Sequence, residues 1–359
     1  MKIAPLMRAI RRSEDRFTAT LLHTGQHYDE AMKDAFFRQL DIPEPDVDLG
    51  VGSASHAVQT AEIMKRFEPV LDEVRPDAVL VVGDVNSTIA CALVAVKKGV
   101  PVIHVEAGLR SNDRTMPEEI NRVLTDQIST LLFTTEPDGK ENLLREGVAE
   151  DAIHFVGNVM IDTLFHSRQR AVPAAETLEG VAGGRLCLSH PQGFGVMTMH
   201  RPSNVDDPGT LKTLLETLVE LSARLPLVFP VHPRTRTKIA EAGLDALLTQ
   251  GQLVVMGPLG YLQLLGLMQD ARVLLTDSGG IQEETTALGV PCITLRENTE
   301  RPITVTDGTN IIVGSDPDKI RTAFDEVLSN GGKRGRVPEL WDGHAAERIL
   351  DGIRQWAER

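Results

Sequence analysis

The sequence predicts two doubly wound α/β domains. Short apolar runs rich in β-branched residues alternate with helical patterns along almost the whole chain. Those runs are continuously apolar, as in parallel strands covered on both faces. At 359 residues, the chain also exceeds what one hydrophobic core usually serves.

The first series contains "FTATLLHT" at 17–24, "AVLVVGD" at 78–84, "PVIHVEAG" at 101–108 and "TLLFTT" at 130–135. Helical patterns follow at 30–40, 86–98, 117–129 and 137–146. The second series begins near residue 194 with "FGVMTMH", "LPLVFPVH", "QLVVMG", "RVLLTD", "PCITLR" and "TNIIVG". Helices at about 207–224, 260–270, 279–289 and 316–330 separate these strands. Between the two series, 171–193 is rich in small residues, glycine and proline, and marks the boundary. The expected domains are 1–170 and 171–343.

Composition narrows the function. With 42% hydrophobic and 25% charged residues, the chain is of the ordinary globular class. A net charge of −14 argues against a nucleic-acid partner, and no apolar run is long enough to span a membrane. Cys91, Cys187 and Cys292 lie far apart, in neither a zinc pattern nor a disulfide framework, which suits the reducing cytoplasm. The opening "MKIAPLMRAIRR" is interrupted by Arg8 and lacks the cleavage site of a signal peptide.

In open α/β sheets, ligands bind beyond the carboxyl ends of the strands. Asp84, Glu106, His200, His232 and Ser278–Gly280 fall there. Asp84 also stands where aspartate caps a helix. Glu106 gains nothing structural at the end of its strand, whereas His104 reads as a core histidine. Glu118 and Glu119 follow Pro117, where the helix dipole alone would favour acids. "GVGSAS", with Gly50, Gly52 and Ser55, lacks the third glycine of a dinucleotide fingerprint and follows a poor strand, "DVDLG", so it reads as a loop rather than an NAD site.

The stretch "TDSGGIQEETTALG" (276–289) is more specific. Ser278, Gly279 and Gly280 would open a helix with bare N–H groups and no Cβ in the way, which suits a diphosphate. Two glutamates follow at the start of that helix. Carboxylates are not expected to face the phosphate, so Glu284 should face hydroxyl donors such as a ribose diol. Together these residues point to a nucleoside diphosphate whose sugar reaches the carboxylates of the first domain.

With these residues assembled, the sequence resembles the non-hydrolysing UDP-N-acetylglucosamine 2-epimerases over nearly its whole length. The strings that carry the resemblance are "VVGDVNST", "HVEAGLRSNDRTMPEEINRVLTD", "MHRPSNVD", "TDSGGIQEE" and "CITLRENTERP", and "HPRT" and "QHY" are similar to archaeal-type members. The resemblance implies two Rossmann-like domains facing across a cleft, in the glycosyltransferase-B arrangement. It implies C2 epimerisation of UDP-N-acetylglucosamine to UDP-N-acetylmannosamine, by anti elimination of UDP and re-addition to a 2-acetamidoglucal, with no cofactor or metal. Asp84, Glu106 and Glu118 match the catalytic carboxylates, and His200 lies next to the leaving diphosphate. Ser278, Gly279, Gly280 and Arg301 match phosphate and nucleotide contacts, Glu284 the ribose ligand, and Lys2 a substrate-contacting lysine. A homodimer is expected, with a C-terminal helix at about 344–359 packed back on the first domain.

Three departures qualify the match. The family begins with a strand and a "GTRPE"-like turn before the helix in which Met1 falls here, so that strand and its arginine are expected to be missing. Tyr28 stands where members regulated by substrate carry an arginine after "QH". Leu264 stands where bacterial relatives place an aromatic beside the uracil. Three alternatives stay open: a related UDP-2-acetamido sugar such as a diacetamido uronate, a hydrolysing epimerase, and a catalytically silent nucleotide-sugar binder.

Overall fold

The computed structural model describes residues 1–13, 17–25 and 37–359. They form two compact units, Met1–His166 with Glu339–Arg359, and Ser167–Pro338. The first unit opens with α1 (Ile3–Arg12) and a short parallel pair, β1 (Leu22–His23) and β2 (Val47–Asp48). After α2 (His56–Val74), four parallel strands lie in chain order: β3 (Val79–Val82), β4 (Val102–Ala107), β5 (Leu131–Thr134) and β6 (Ile153–Phe155). The helices between and after them are α3 (Asn86–Lys97), α4 (Pro117–Ile128), α5 (Pro137–Arg145) and α6 (Val159–Arg168). Every residue of β4 and β5 is buried, as both-face coverage demands.

Three details differ from the expectation. Only Leu22–His23 of the 17–24 run pairs as a strand, and its partner comes from "DVDLG", a stretch too polar to read as one. Helix α2 has no counterpart among the expected helices. Its apolar stripe is narrow (Ile63, Phe67 and Leu71, with Gln59 buried beside them), and Ser55 of the loop-like "GVGSAS" caps it by accepting from Val58 N. The expected helix at 30–40 falls mostly outside the described residues, as does Tyr28 with the whole "QHY" string.

In the second unit, the Gly- and Pro-rich segment contains two short helices, α7 (Ala174–Thr177) and α8 (Gly184–Ser189). All six apolar runs then become strands: β7 (Gly195–Thr198), β8 (Leu227–Pro230), β9 (Leu253–Met256), β10 (Val273–Thr276), β11 (Cys292–Thr294) and β12 (Asn310–Ile312). The helices are α9 (Pro202–Val205), α10 (Pro208–Ser222), α11 (Pro233–Glu241), α12 (Tyr261–Asp270), α13 (Gly279–Leu288), α14 (Pro302–Thr306) and α15 (Pro317–Asn330). The sheet is parallel in the order β12-β11-β10-β7-β8-β9. The chain reverses its direction of travel across the sheet between β7 and β10, which pair directly. The crevice beyond such a switch point is where doubly wound sheets bind ligands.

The last segment returns to the first unit. Trp341 is 1% exposed, and its indole N–H donates to the Thr135 carbonyl at 3.0 Å. Helix α16 (Ala345–Ala357) is capped by Asp162, which accepts from Ala345 N and Ala346 N at 3.1 and 2.8 Å. Ala345 and Ile349 share a core with Leu6 of α1, Val105 and Phe133. No described helix is long and apolar enough to cross a membrane.

Trp341→Ala should therefore destabilise the first unit by about 3–5 kcal/mol, through the cavity and the lost bond to Thr135. Denaturant unfolding with hydrogen exchange checks this. Protection should fall in 102–107 and 131–134 and hold in 195–198 and 273–276; an equal fall in both sets would refute the localisation.

Candidate active site

In the first unit, polar groups gather where β3 and β4 end. The register of β4 slips between Val105 and Ala107, and Glu106 occupies the irregularity with φ 72°. A non-glycine residue in the left-handed region costs about 1–3 kcal/mol and persists only where its surroundings over-determine it. Glu106 is 3% exposed, and its Oε1 accepts from Lys2 Nζ at 2.5 Å. Gly83, with φ 73°, makes room for this pair, because a Cβ there would lie 3.0 Å from Lys2 Nζ.

Asp84 does not cap α3. The N-cap is Val85, without a side-chain bond, while Asp84 Oδ2 accepts from Arg122 Nη2 at 2.6 Å. The other arm of Arg122 donates to Glu119. Glu119 also accepts from Ser111 N and Oγ at 3.0 Å and from Asn112 N at 2.9 Å. It is committed to holding that loop. Glu118 is only half-buried and lines a cavity of about 240 Å³ with His56, Gln59, Asn86 and Asn121. No hydrogen bond among the described residues uses the Glu118 carboxylate, so it is the member of the pair open to a ligand. His104 is a satisfied core residue, with ring nitrogens 2.7 Å from Asp126 Oδ1 and 2.8 Å from the Gly83 carbonyl.

In the second unit, the switch point is organised by Asp277, which nothing in the spacing of "TDSGG" distinguishes from a turn residue. This fully buried carboxylate accepts from His200 N at 2.9 Å, Arg201 N at 2.8 Å and Asn204 Nδ2 at 3.2 Å. Burial pushes its pKa up, but the His200 ring and the backbone donors outweigh that and hold it below the ordinary carboxylate value. The His200 Nδ1 lies 3.0 Å from Asp277, leaving Nε2 on a side chain that is 39% exposed. The His232 ring, 5.6 Å away, is held below its ordinary value by burial and then by His200. His232 Nδ1 accepts from Arg234 N, and Arg234 pairs with Asp206.

Helix α13 begins at Gly279, with Ser278 as an N-cap that makes no side-chain bond. Glu283 and Glu284, expected at the start of this helix, lie beyond its first turn, which holds no acid. A carboxylate does reach this turn: a Cβ on Gly279 would lie 2.6 Å from Glu300 Oε1. Burial raises the Glu300 carboxyl, but Arg301 and Arg296 override it and hold it well below the usual range. Arg296 Nη2 donates to Glu300 at 2.7 Å, while its buried Nη1 has no partner among the described residues. Arg301, 4% exposed, pairs through Nε with Glu283 at 2.7 Å. Two arginines thus accompany the carboxylate that reaches this turn, which suits an anion.

Glu284 is buried and accepts from Tyr261 Oη at 2.8 Å. Burial pushes its pKa up to about 7; the Tyr261 bond opposes the rise and Glu283 adds to it. Leu264 is half-buried on α12, one turn beyond Tyr261. Arg122, Asp126, Tyr261, Arg296 and Glu300 are additions to the site expected from the sequence. Arg122, Asp126, Arg296 and Glu300 stand in the strings "EEINRVLTD" and "CITLRENTERP", and their helical or loop settings hid which strand end each would meet.

The family described as UDP-N-acetylglucosamine 2-epimerase matches residues 8–354. The chain is 41% identical over 353 residues to the UDP-N-acetylglucosamine 2-epimerase of Methanocaldococcus jannaschii, covering 98% of this chain and 94% of that one. It is 40% identical over 338 residues to the UDP-2,3-diacetamido-2,3-dideoxy-D-glucuronate 2-epimerase of Pseudomonas aeruginosa, covering 92% and 90%. Among solved structures, the M. jannaschii UDP-GlcNAc 2-epimerase in complex with UDP-GlcNAc and UDP matches with a TM-score of 0.87 at 40% identity, over 99% and 96% of the chains. The Neisseria meningitidis enzyme bound to UDP-GlcNAc matches with a TM-score of 0.87 at 29% identity, over 99% and 96%.

The Glu284 pKa has a consequence for stability. A carboxyl raised from 4.5 to about 7 in the folded state favours folding most below 4.5, and that contribution is lost as pH rises through 7. Glu284→Gln should match the wild type near pH 4.5 and be the more stable protein at pH 8, by up to about 3 kcal/mol. Urea unfolding at both pH values checks this; the same difference at each would show that Glu284 does not titrate in that window.

Proposed function

The chain belongs to the UDP-N-acetylglucosamine 2-epimerase family, and on that premise we propose that it interconverts UDP-N-acetylglucosamine and UDP-N-acetylmannosamine by elimination and re-addition of UDP. The observation that carries the reading is Glu106, a buried carboxylate in strained backbone, paired with Lys2 and one strand away from Asp84. Strain of this kind concentrates where geometry serves chemistry.

In the forward step a carboxylate takes the C2 proton, the C2–H pair becomes the C1=C2 bond, and UDP leaves with the C1–O pair. In the return step a UDP oxygen attacks C1 and an acid delivers a proton to the other face of C2. Asp84, Glu106 and Glu118 are the groups for these transfers. Lys2, ion-paired to Glu106, suits a contact with the sugar. On the nucleotide side, the α13 N–H groups at Ser278, Gly279 and Gly280, together with Arg301, suit the diphosphate, and His200 Nε2 suits its developing charge. Glu284 is matched to the ribose hydroxyls, and Leu264 to the neighbourhood of the uracil. A cytoplasmic homodimer goes with this reading; its support is the family membership and three buried, free cysteines.

The 40% identity to the diacetamido-glucuronate epimerase favours one second reading, the same chemistry on that more acidic sugar. Turnover of both UDP sugars by the purified enzyme decides between them.

Run in D₂O, the epimerised product and the recovered substrate should both gain deuterium at C2. Product without label would exclude proton removal at that carbon. Glu106→Gln should lose about 10²–10⁴-fold in turnover while binding UDP normally. Glu284→Ala should instead weaken UDP binding by roughly 1.5–3 kcal/mol, the value of a charge-assisted hydrogen bond. Kinetics and calorimetry on the two variants test this division, and the reverse pattern would overturn it.

A further inference from the structure

His104 is a histidine near the first-unit carboxylates that the mechanism leaves unused. It is wholly buried on β4, two residues before Glu106. Both of its ring nitrogens meet oxygens: Nδ1 meets Asp126 Oδ1 at 2.7 Å and Nε2 meets the Gly83 carbonyl at 2.8 Å. A carbonyl can only accept, so Nε2 carries a proton. Asp126 has its own reasons to stay ionised, because Oδ2 accepts from Gly108 N at 3.1 Å and lies 2.7 Å from Arg110 Nη1. An ionised carboxylate also only accepts, so Nδ1 must be a donor as well.

Arg110 pairs with the buried Asp126 and reaches out to the exposed Glu146, and Lys2 pairs with Glu106. Burial opposes the charged imidazole, but Asp126, the Gly83 carbonyl and Glu106 together raise its proton affinity above the ordinary value.

We propose that His104 is held as an imidazolium and acts as a positioning residue that ties the two carboxylate-bearing strand ends together. One N–H fixes the carbonyl of Gly83, the residue before Asp84. The other fixes Asp126, which in turn holds Gly108 N, two residues beyond Glu106. The spacing of Asp84 and Glu106, already framed by the β3–β4 pairing, is thus fixed further by one cationic ring buried beneath the two strand ends. The proposal rests on the reading of those two carboxylates as the proton-transfer groups.

Protein carrying ¹⁵N-labelled histidine rings tests it, with His104 assigned from its loss in His104→Gln. The wild type should show protons on both His104 ring nitrogens from pH 6 to pH 9. A folded His104→Gln should bind UDP as the wild type does, lose roughly 10–100-fold in kcat/KM through misplaced carboxylates, and show the acid limb of its kcat/KM profile moved to higher pH. That direction follows because removing a nearby positive charge makes a carboxylate harder to ionise. A single ring proton on His104 at pH 7 overturns the proposal, as does a folded variant with unchanged kcat/KM and pH profile. If His104→Gln fails to fold, assignment through His104→Asn or by sequential NMR leaves the wild-type measurement decisive. A wild type that does not turn over a UDP sugar would defeat the functional reading while the ring protonation is still measured.

Discussion

Burying carboxylates is the constraint around which both units are arranged. An acid taken out of water must find N–H groups or cations, or give up its charge. Parallel strands all end on the same edge of a sheet, and the turns that leave them present backbone N–H groups there. Asp277 takes the amides of His200 and Arg201 just after β7, and Glu119 takes those of Ser111 and Asn112 after β4. Where amides do not suffice, a cation is brought in from elsewhere in the chain. Lys2 comes from the start of α1, and Arg122 comes from α4 and serves two acids at once. Topology thus decides where acid can be buried, and the acids in turn decide where the loops sit.

Glu284 and Glu300 show how much the neighbours matter. Both are buried in the second unit near α13, and both carry the same kind of desolvation penalty. Glu300 has two arginines and stays charged far below the normal range. Glu284 has a neutral phenol on one side and another acid, Glu283, on the other, so its pKa climbs to about 7. In the first arrangement the carboxylate's charge is balanced by protein cations. The second is complete only with further donors, which is what a hydroxyl-rich ligand would bring.

Much of the fold was legible because doubly buried parallel strands leave an unmistakable trace. "LPLVFPVH" and "RVLLTD" have no polar alternation to confuse with an exposed surface, and both became central strands. Helix α2 was illegible because only a narrow stripe of it meets the core, and β2 because a two-residue strand has no pattern. Within the candidate site, the ends of strands could be named in advance since the chain itself marks them. Their partners could not. Whether Asp126 meets His104, or Glu300 meets Gly279, depends on how a helix or loop lies against the sheet, and no local spacing encodes that.

In each unit, candidate site residues break local rules. Glu106 adopts a backbone conformation that only its surroundings can enforce, Arg296 buries a guanidinium N–H with no acceptor among the described residues, and Glu284 is buried with Tyr261 as its one hydrogen-bond donor there. Violations of this kind at candidate site residues are what a fold that has conceded stability to a site would show. They also say what a ligand would supply: anionic oxygens for Arg296 and hydroxyl donors for Glu284. A ligand carrying both would bind the folded state alone and stabilise it by mass action. On the proposed reading, Arg296 and Glu284 are therefore better understood as half of a complex than as defects in a core.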